Sequence, residues 1–409
     1  IEPRKDTYDV VVVGGGVAGL SAAATLHVLG ISDVLVLERE QECGGAPRHI
    51  EIPNFGLREF HRPMTGPDYA ARMRARAGRV EIATEFSVMR LLPGGIVEGA
   101  GTRGMRSFKA KRVILATGTR EASRHNRLVS GARPFGAMTY GTLQRYLQFA
   151  GMRPFRKAVI VGTEWVALAT VHTMRKFGIR PVCMLEEHSH TTAPEMMARI
   201  VERIFRTPVY REVRLRRIIG NAGVEAVEIV CGGQSQVIEC DGVVFTGRFI
   251  PEAHLVRLSG LSFDAGSGGP ATDQWHRLSD PAYFACGNIL RPVEASWVCS
   301  KEGERAARFV RMSLENILPS PDRSVPVRFS EPIRFVWPQR LVLPYTDKRS
   351  KLCLKVSFRR PAKGLLRLTA DCREIWARRI NAMPEQLIKV VPKNVWLERA
   401  QDLDLRCEE

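Results

Sequence analysis

The stretch Asp9–Glu40, DVVVVGGGVAGLSAAATLHVLGISDVLVLERE, constrains the fold more than any other part of this 409-residue chain. Four consecutive valines, Val10–Val13, read as a strand buried on both faces, because no polar residue alternates with them. They run straight into Gly14-Gly15-Gly16-Val17-Ala18-Gly19, which opens an apolar helix through about Leu29. A second strand, Val34–Leu37, ends in Glu38 and Arg39. Strand, glycine turn, helix, strand and an acid about 20 residues on make up the dinucleotide-binding βαβ pattern. Gly14 makes the tight turn. Gly16 has no Cβ to keep a pyrophosphate off the backbone, and Gly19 lets helix and strand pack closely. The helix N-terminus, with Val17 and Ala18, offers free N–H groups and a positive dipole end to phosphate oxygens. Glu38 is placed to accept hydrogen bonds from an adenosine ribose.

The length suggests two or three domains with ample core. No apolar run approaches the roughly 20 residues that span a bilayer. No signal peptide is visible, and the start at Ile1 rather than Met leaves room for a leader or initiating stretch. The net charge of +18 fits nucleic acid, an anionic membrane surface or an acidic protein partner. With no nucleic-acid motif and scattered basic residues, a partner or membrane surface is favoured. The nine cysteines form no CxxC, CxC or CxxxxC pattern, and the histidines are dispersed apart from His188 and His190. Reduced thiols in a cytoplasmic setting are expected, with no metal site or iron–sulfur cluster on this chain.

After the first unit, Gly44-Gly45-Ala46-Pro47-Arg48-His49 leads into a second run of turn residues ending at Thr65-Gly66-Pro67. Its two glycines would let backbone approach a ligand beyond the pyrophosphate, with Arg48 and His49 nearby. A turn-rich surface loop is the alternative. A helix over about Asp68–Ala77 and a strand over Val80–Ile82 lead to Ser87-Val88. The strand Arg112–Ala116 then ends in Ala116-Thr117-Gly118, either a second cofactor contact or a common β-turn.

An internal repeat follows. Aligned without gaps, Gly14 matches Gly162, Gly30 matches Gly178 and Glu38 matches Glu186. The turn glycines do not survive. Thr163 follows Gly162, Gly16 becomes Glu164, and Gly19 becomes Ala167. Alanine at the third site is tolerable. Glutamate at the second sets bulk and negative charge where a pyrophosphate would lie. A retained fold without ligand, or a differently posed adenine nucleotide, is expected over ordinary NAD(P)H binding.

The chain then returns to the first domain through Val243–Arg248 and a strand, Tyr283–Leu290, whose end meets a helix starting near Glu294 or Trp297. Gly287 and Asn288 fall at the strand end, where the asparagine amide can bond a ribityl hydroxyl. From about Pro321 the pattern turns to short, half-buried strands such as Lys351–Phe358, Gly364–Thr369, Glu374–Ile380 and Gln386–Val391. Residues 321–409 hold 19 Lys/Arg and 11 Asp/Glu, a net +8. This end is either a docking surface or a solvated basic face. The expected architecture is α/β, with two Rossmann-like dinucleotide-binding domains, the second degenerate, and a small β-rich C-terminal domain. The expected parts are 1–150 and 247–320 for the FAD-binding domain, 151–246 for the NAD(P)-like domain, and 321–409 for the C-terminal domain.

GGAPRH, FGLREFHR, TGP, LATGTRE, RLVSGARPFG, VGTEWV and CGNILRPVEASW together resemble one branch of the two-dinucleotide-domain flavoproteins. This is the FAD-containing subunit of heteromeric opine oxidase, hydrogen cyanide synthase and dye-linked proline or hydroxyproline dehydrogenases. The resemblance covers roughly Asp6–Glu315. It implies an electron-transferring FAD subunit beside an amino-acid-oxidase-type FAD partner that oxidises a C–N bond, often with a small 2Fe–2S protein. It further implies a degenerate second turn, with ATP in some members where others would hold NAD(P). FAD would lie along Gly14, Gly16, Gly19, Glu38 and the Val88 backbone, then Gly45, Arg48, Thr117, Gly118, Gly287 and Asn288. The complex would be cytoplasmic or held on the inner face of the membrane. Related subunits often end in a cysteine-rich iron–sulfur domain, which Cys353, Cys372 and Cys407 cannot form. A self-sufficient NAD(P)H oxidoreductase and a non-redox nucleotide-binding scaffold remain the alternatives.

Overall fold

A computed structural model of the chain describes residues 3–343, 352–384, 386–392 and 400–409. The valine run forms β1 (Thr7–Val13), followed by α1 (Val17–Val28) and β2 (Val34–Leu37). β1 pairs in parallel with β2 and with the strand Gly104–Leu115, while β2 pairs with Glu81–Ala83. Tyr283–Ala285 joins the far side of Gly104–Leu115. The earlier half of that strand continues into an antiparallel meander with Ile96–Gly101 and Ser87–Leu92.

The valines are apolar throughout because both sheet faces are covered. Val10 and Val12 face the core beneath α1 and the long helix Ser296–Leu314. Val11 and Val13 face a second core that contains Phe108, Tyr283, Phe335 and Trp337. α1 and the long helix touch so closely that a Cβ on Gly303 would lie 2.1 Å from the Ala18 carbonyl oxygen.

The second unit repeats the arrangement. Its parallel strands run in the order Val209–Tyr210, Arg180–Leu185, Lys157–Val161, Gly242–Phe245 and Ala137–Thr139. A separate antiparallel sheet of Val213–Ile219, Ala226–Cys231 and Gln234–Glu239 takes in Ser130–Gly131 at its edge. The expected boundary at residue 150 therefore moves. Ser130–Gly131, Ala137–Thr139 and the helix Tyr140–Gln148 all belong with the second unit. The chain crosses earlier, where Thr119–Glu121 pairs antiparallel with Phe249–Pro251 and carries both passages between the units.

The C-terminal part is β-rich. One five-stranded sheet combines Arg340–Val342, Ser324–Phe329, Leu403–Glu408, Ala362–Ala370 and Arg373–Ala382. A three-stranded sheet holds Ile333–Trp337, Leu354–Phe358 and Ile388–Val390. Lys351, expected in the strand that forms over Leu354–Phe358, lies outside the described residues. Residues of Ile333–Trp337 divide between two cores. Ile333 and Val336 pack inside the C-terminal part, while Phe335 and Trp337 enter the second face of the first sheet. This part is thus fused to the first domain through buried aromatic side chains. Among the described residues no helix is long and apolar enough to cross a membrane.

Candidate functional site: two glycine turns of unequal openness

The first turn sits at the C-terminal ends of β1 and β2. Gly14 has φ +108, and a Cβ on it would lie 2.5 Å from the Ala116 carbonyl oxygen. Gly19 is tighter still, since its Cβ would fall 1.9 Å from the Gly14 oxygen. Gly16 behaves differently. A Cβ there would meet only the Gly45 Cα within 4 Å, at 3.9 Å, so its hydrogen faces open space. Gly45 approaches from the opposite wall, where its own Cβ would lie 3.1 Å from the Gly16 Cα. The loop is pinned there by the Gly44 N–H donating to the Gly15 oxygen at 2.8 Å. Two glycines thus meet in contact at the N-terminus of a twelve-residue helix, and neither puts a side chain over that helix end. Within the helix Val17 and Ala18 have no residue four back to accept their N–H bonds. A pyrophosphate fits that chemistry.

Glu38 is buried at the end of β2 and organises the turn itself. Its Oε2 accepts the Gly15 N–H at 2.7 Å and its Oε1 the Glu40 N–H at 2.9 Å. Arg39 is exposed. The chain leading to the half-buried Val88 is tied to this acid, because the Phe86 N–H donates to the Glu38 carbonyl at 2.9 Å. Ala116 donates its N–H to Val13, and Thr117 Oγ1 donates to the Glu252 carbonyl at 2.7 Å. Gly118, at φ +73, accepts the Glu252 N–H. Gly118 and Thr117 therefore stand at the foot of the crossing ribbon. Gly287, at φ +77, lies against α1, where a Cβ would be 2.7 Å from the Ala18 Cβ.

Three expected contacts are arranged otherwise than the sequence implied. The Asn288 amide is engaged with Glu294, accepting its N–H at 2.7 Å and donating to its carbonyl at 3.3 Å. The Arg48 guanidinium bonds the Glu42 carbonyl and carboxylate and lies 5.3 Å from the Phe149 ring centroid. His49 packs edge-on to the same ring at 5.8 Å, and burial pushes its imidazole down to about 4. Arg48 and His49 are therefore spent on the junction with the Tyr140–Gln148 helix, to which Arg145 adds an ion pair with Glu40.

The second turn repeats the frame and fills the gap. Gly162 has φ +132 at the end of its strand. The Glu164 side chain folds sideways into the crevice between strand ends. A Cβ on Gly162 would lie 2.6 Å from Glu164 Oε2, and one on Gly247 would lie 2.6 Å from Glu164 Cδ. Burial raises the Glu164 carboxyl above its ordinary value, and its Oε1 is buried without a partner. Thr163 donates its hydroxyl to Glu186, so the acid expected to meet a ribose is occupied. The loop after Glu186 is pinned much as in the first turn, with the Thr192 N–H donating to Thr163 Oγ1 at 3.0 Å and the Ala193 N–H to Thr163 O at 3.0 Å, but it carries side chains where the first loop has glycines.

Sequence reasoning missed this closing loop. The offset that relates Gly14 to Gly162 also carries Gly44 and Gly45 onto Thr192 and Ala193, and both wall glycines are lost there. Arg127, which opens the RLVSGARPFG stretch, donates to the Thr246 and Gly247 carbonyls, a role its position in the sequence did not indicate. Among the described residues no group of three or more His, Cys, Asp or Glu is placed to hold a metal ion.

Two βαβ units joined by a paired crossing, one with an open glycine gap, define a flavoprotein of the two-dinucleotide-domain class. A family model described as pyridine nucleotide-disulphide oxidoreductase matches residues 8–303, and the chain belongs to that family of FAD-dependent oxidoreductases. It is 32% identical over 161 residues to an opine oxidase subunit of Rhizobium meliloti (strain 1021), covering 38% of this chain and 33% of that protein. The chain thus matches only a third of that relative's length. It is 23% identical over 325 residues to a thioredoxin reductase of Listeria monocytogenes serovar 1/2a, covering 76% and 96% of the two chains. The solved thioredoxin reductase of T. acidophilum shares the fold, with a TM-score of 0.65 at 22% identity over 76% of this chain and 100% of that one.

Proposed function

We propose that this chain is the FAD-binding, electron-transferring subunit of a heteromeric amine or amino-acid dehydrogenase. A partner flavoprotein of amino-acid-oxidase type would oxidise the C–N bond of an opine, proline, hydroxyproline or glycine-like substrate. A small 2Fe–2S protein is a further partner this reading accommodates. The feature that supports it is the second turn, where Glu164 stands at the position of Gly16, and Thr192 and Ala193 at those of Gly44 and Gly45. Cysteine spacing points the same way. No two cysteines stand closer than Cys231 and Cys240, so the chain has no CxxC or CxxxxC dithiol. When bound, FAD supplies the redox chemistry, accepting an electron pair and releasing it to an external acceptor. This chain's residues bind and orient it. The α1 N-terminus, left uncovered by Gly16 and Gly45, would take the pyrophosphate, and Glu38 and the Val88 backbone the adenosine half.

A second reading, a self-sufficient NAD(P)H-dependent oxidoreductase, is supported by the similarity across 96% of the Listeria thioredoxin reductase and by the retained Gly162 and Glu186. Anaerobic absorbance separates the two. The lone chain and the chain with co-purified subunits would each receive NADH, NADPH and a panel of amino acids. Flavin bleaching by an amino acid only when a second flavoprotein is present is the expected result. Rapid bleaching of the lone chain by a nicotinamide would overturn it.

A further inference from the structure

The family match ends at residue 303, yet a side chain from beyond it reaches back into the first domain. Lys355, on the strand Leu354–Phe358, places its Nζ 2.6 Å from Glu294 Oε1 and 3.2 Å from Glu302 Oε1. Arg291 binds the same two carboxylates, at 3.1 Å to Glu294 and in close contact with Glu302. Side-chain exposure is 0% for Arg291, 7% for Glu302, 14% for Lys355 and 17% for Glu294. Trp337 floors the cluster, with the Arg291 guanidinium 4.3 Å and Lys355 Nζ 5.6 Å from its ring centroid. Burial alone would raise the Glu302 carboxyl, but Arg291 and Lys355 outweigh it and hold the group at about 2. Two cations and two anions are balanced where neither pair is well hydrated.

Contacts lead from this cluster to the glycine turn. Glu294 holds both ends of the Asn288 amide through its own backbone, and its carbonyl also accepts from Cys299 Sγ at 3.8 Å. Asn288 follows Gly287, which lies against Ala18 in the first turn of α1. We propose that Lys355 is a positioning residue for the cofactor site, through which the C-terminal β module clamps the Gly287–Glu294 loop onto the first glycine turn. This rests on the reading that the first turn holds FAD.

Removing the lysine charge leaves the cluster with one carboxylate in excess, and an unpaired buried charge is strongly unfavourable. Glu294 is the most exposed of the four and is the one that can swing to water. The loop then loses the side-chain anchor that holds the Glu294 backbone, which is the partner of the Asn288 amide beside α1. FAD affinity therefore falls when Lys355 is neutralised, and returns when a cation is restored.

The experiment titrates FAD into apoprotein of the full chain. Binding, the visible flavin spectrum and the melting temperature of the apoprotein are measured for wild type, Lys355→Met, Lys355→Arg and Arg360→Ala. Arg360 pairs with Glu409 on the surface of the same module, at 59% and 38% exposure, and touches none of the cluster. Lys355→Met should raise the FAD dissociation constant about tenfold and shift the bound-flavin spectrum. Lys355→Arg should recover most of the affinity, and Arg360→Ala should leave both readouts at wild-type values. Wild-type affinity and spectrum in Lys355→Met, with only a lower melting temperature, would make the lysine a brace and overturn the proposal. Should Lys355→Met fail to fold, Glu294→Ala, which removes the side chain that Lys355 holds, carries the test, and unchanged FAD affinity in it overturns the proposal equally. Absence of FAD binding by wild-type apoprotein would instead strike at the assignment of the first turn, and the proposal would fall with it.

Discussion

Replacing Gly16 with alanine separates the cofactor site from the fold, because the two make different demands on that position. Gly16 has φ −76 and ψ −173, extended backbone that any residue adopts, so a side chain adds no strain. In the ligand-free protein the new methyl meets only the Gly45 Cα, at 3.9 Å, which is ordinary contact. Alanine is a poorer N-cap than glycine, at a cost of up to about 1 kcal/mol. Reduced freedom of the unfolded chain offsets about 0.4–1 kcal/mol of that. The apoprotein should therefore keep its stability to within about 1 kcal/mol. A pyrophosphate seated on the α1 N-terminus would meet the methyl that Gly16 leaves out. Losing one charge-assisted hydrogen bond to a helix N–H costs about 1.5–3 kcal/mol. At 1.4 kcal/mol per decade, FAD affinity should fall roughly ten- to hundredfold. Fluorescence titration of apoprotein with FAD, beside thermal melts without it, reads both effects. Unchanged affinity would refute the placement of the pyrophosphate, and an unfolded apoprotein would refute the claim that the gap is open.

Two further substitutions probe the same turns. Gly19→Ala drives a Cβ to within 1.9 Å of the Gly14 oxygen, so α1 must shift. Overpacking of this kind costs about 1–3 kcal/mol. A lower melting temperature is expected in apoprotein and holoprotein alike, and an unshifted melt would contradict the close packing of α1 on β1. At the second turn, burial raises the Glu164 carboxyl and leaves Oε1 without a partner. The folded protein holds that proton more tightly than the unfolded chain, so stability falls as pH climbs from the ordinary carboxyl value through the raised one. Glu164→Gln, which cannot ionise, should thus stabilise the protein at neutral pH relative to wild type. The advantage should shrink as pH drops toward 4.5, the ordinary value. A pH-independent difference in denaturant midpoints would show that ionisation of Glu164 is not the cause.

The first βαβ unit was legible almost residue by residue. The strand expected at Val34–Leu37 has those bounds, and the helix expected through Leu29 ends at Val28. Valine runs, glycine turns and a terminal acid are local signals, and the repeat carried them to Gly162 and Glu186. Other segments were misjudged. Tyr283–Leu290 supplies a strand of only three residues, because Gly287–Ile289 coils into a 3-10 turn against α1. Ser130–Gly131 and Ala137–Thr139 pair with the two sheets of the second unit, although nothing between them and the first strand reads as a break. Glu164 was legible as an obstruction. Its direction, sideways toward Gly247, depends on a strand that arrives more than eighty residues later.

Sequence alone determined that two dinucleotide-type units form, that the second lacks the glycines of the first, and that the C-terminal end is built of strands. Those properties follow from backbone conformation and burial within short windows, which neighbouring residues decide. Tertiary structure alone decided how the units cross, where the Asn288 amide is spent, and that Lys355 joins Glu294 and Glu302 across 61 and 53 residues of chain. Buried charges must find partners wherever the fold delivers them, and no local pattern records which ones those are.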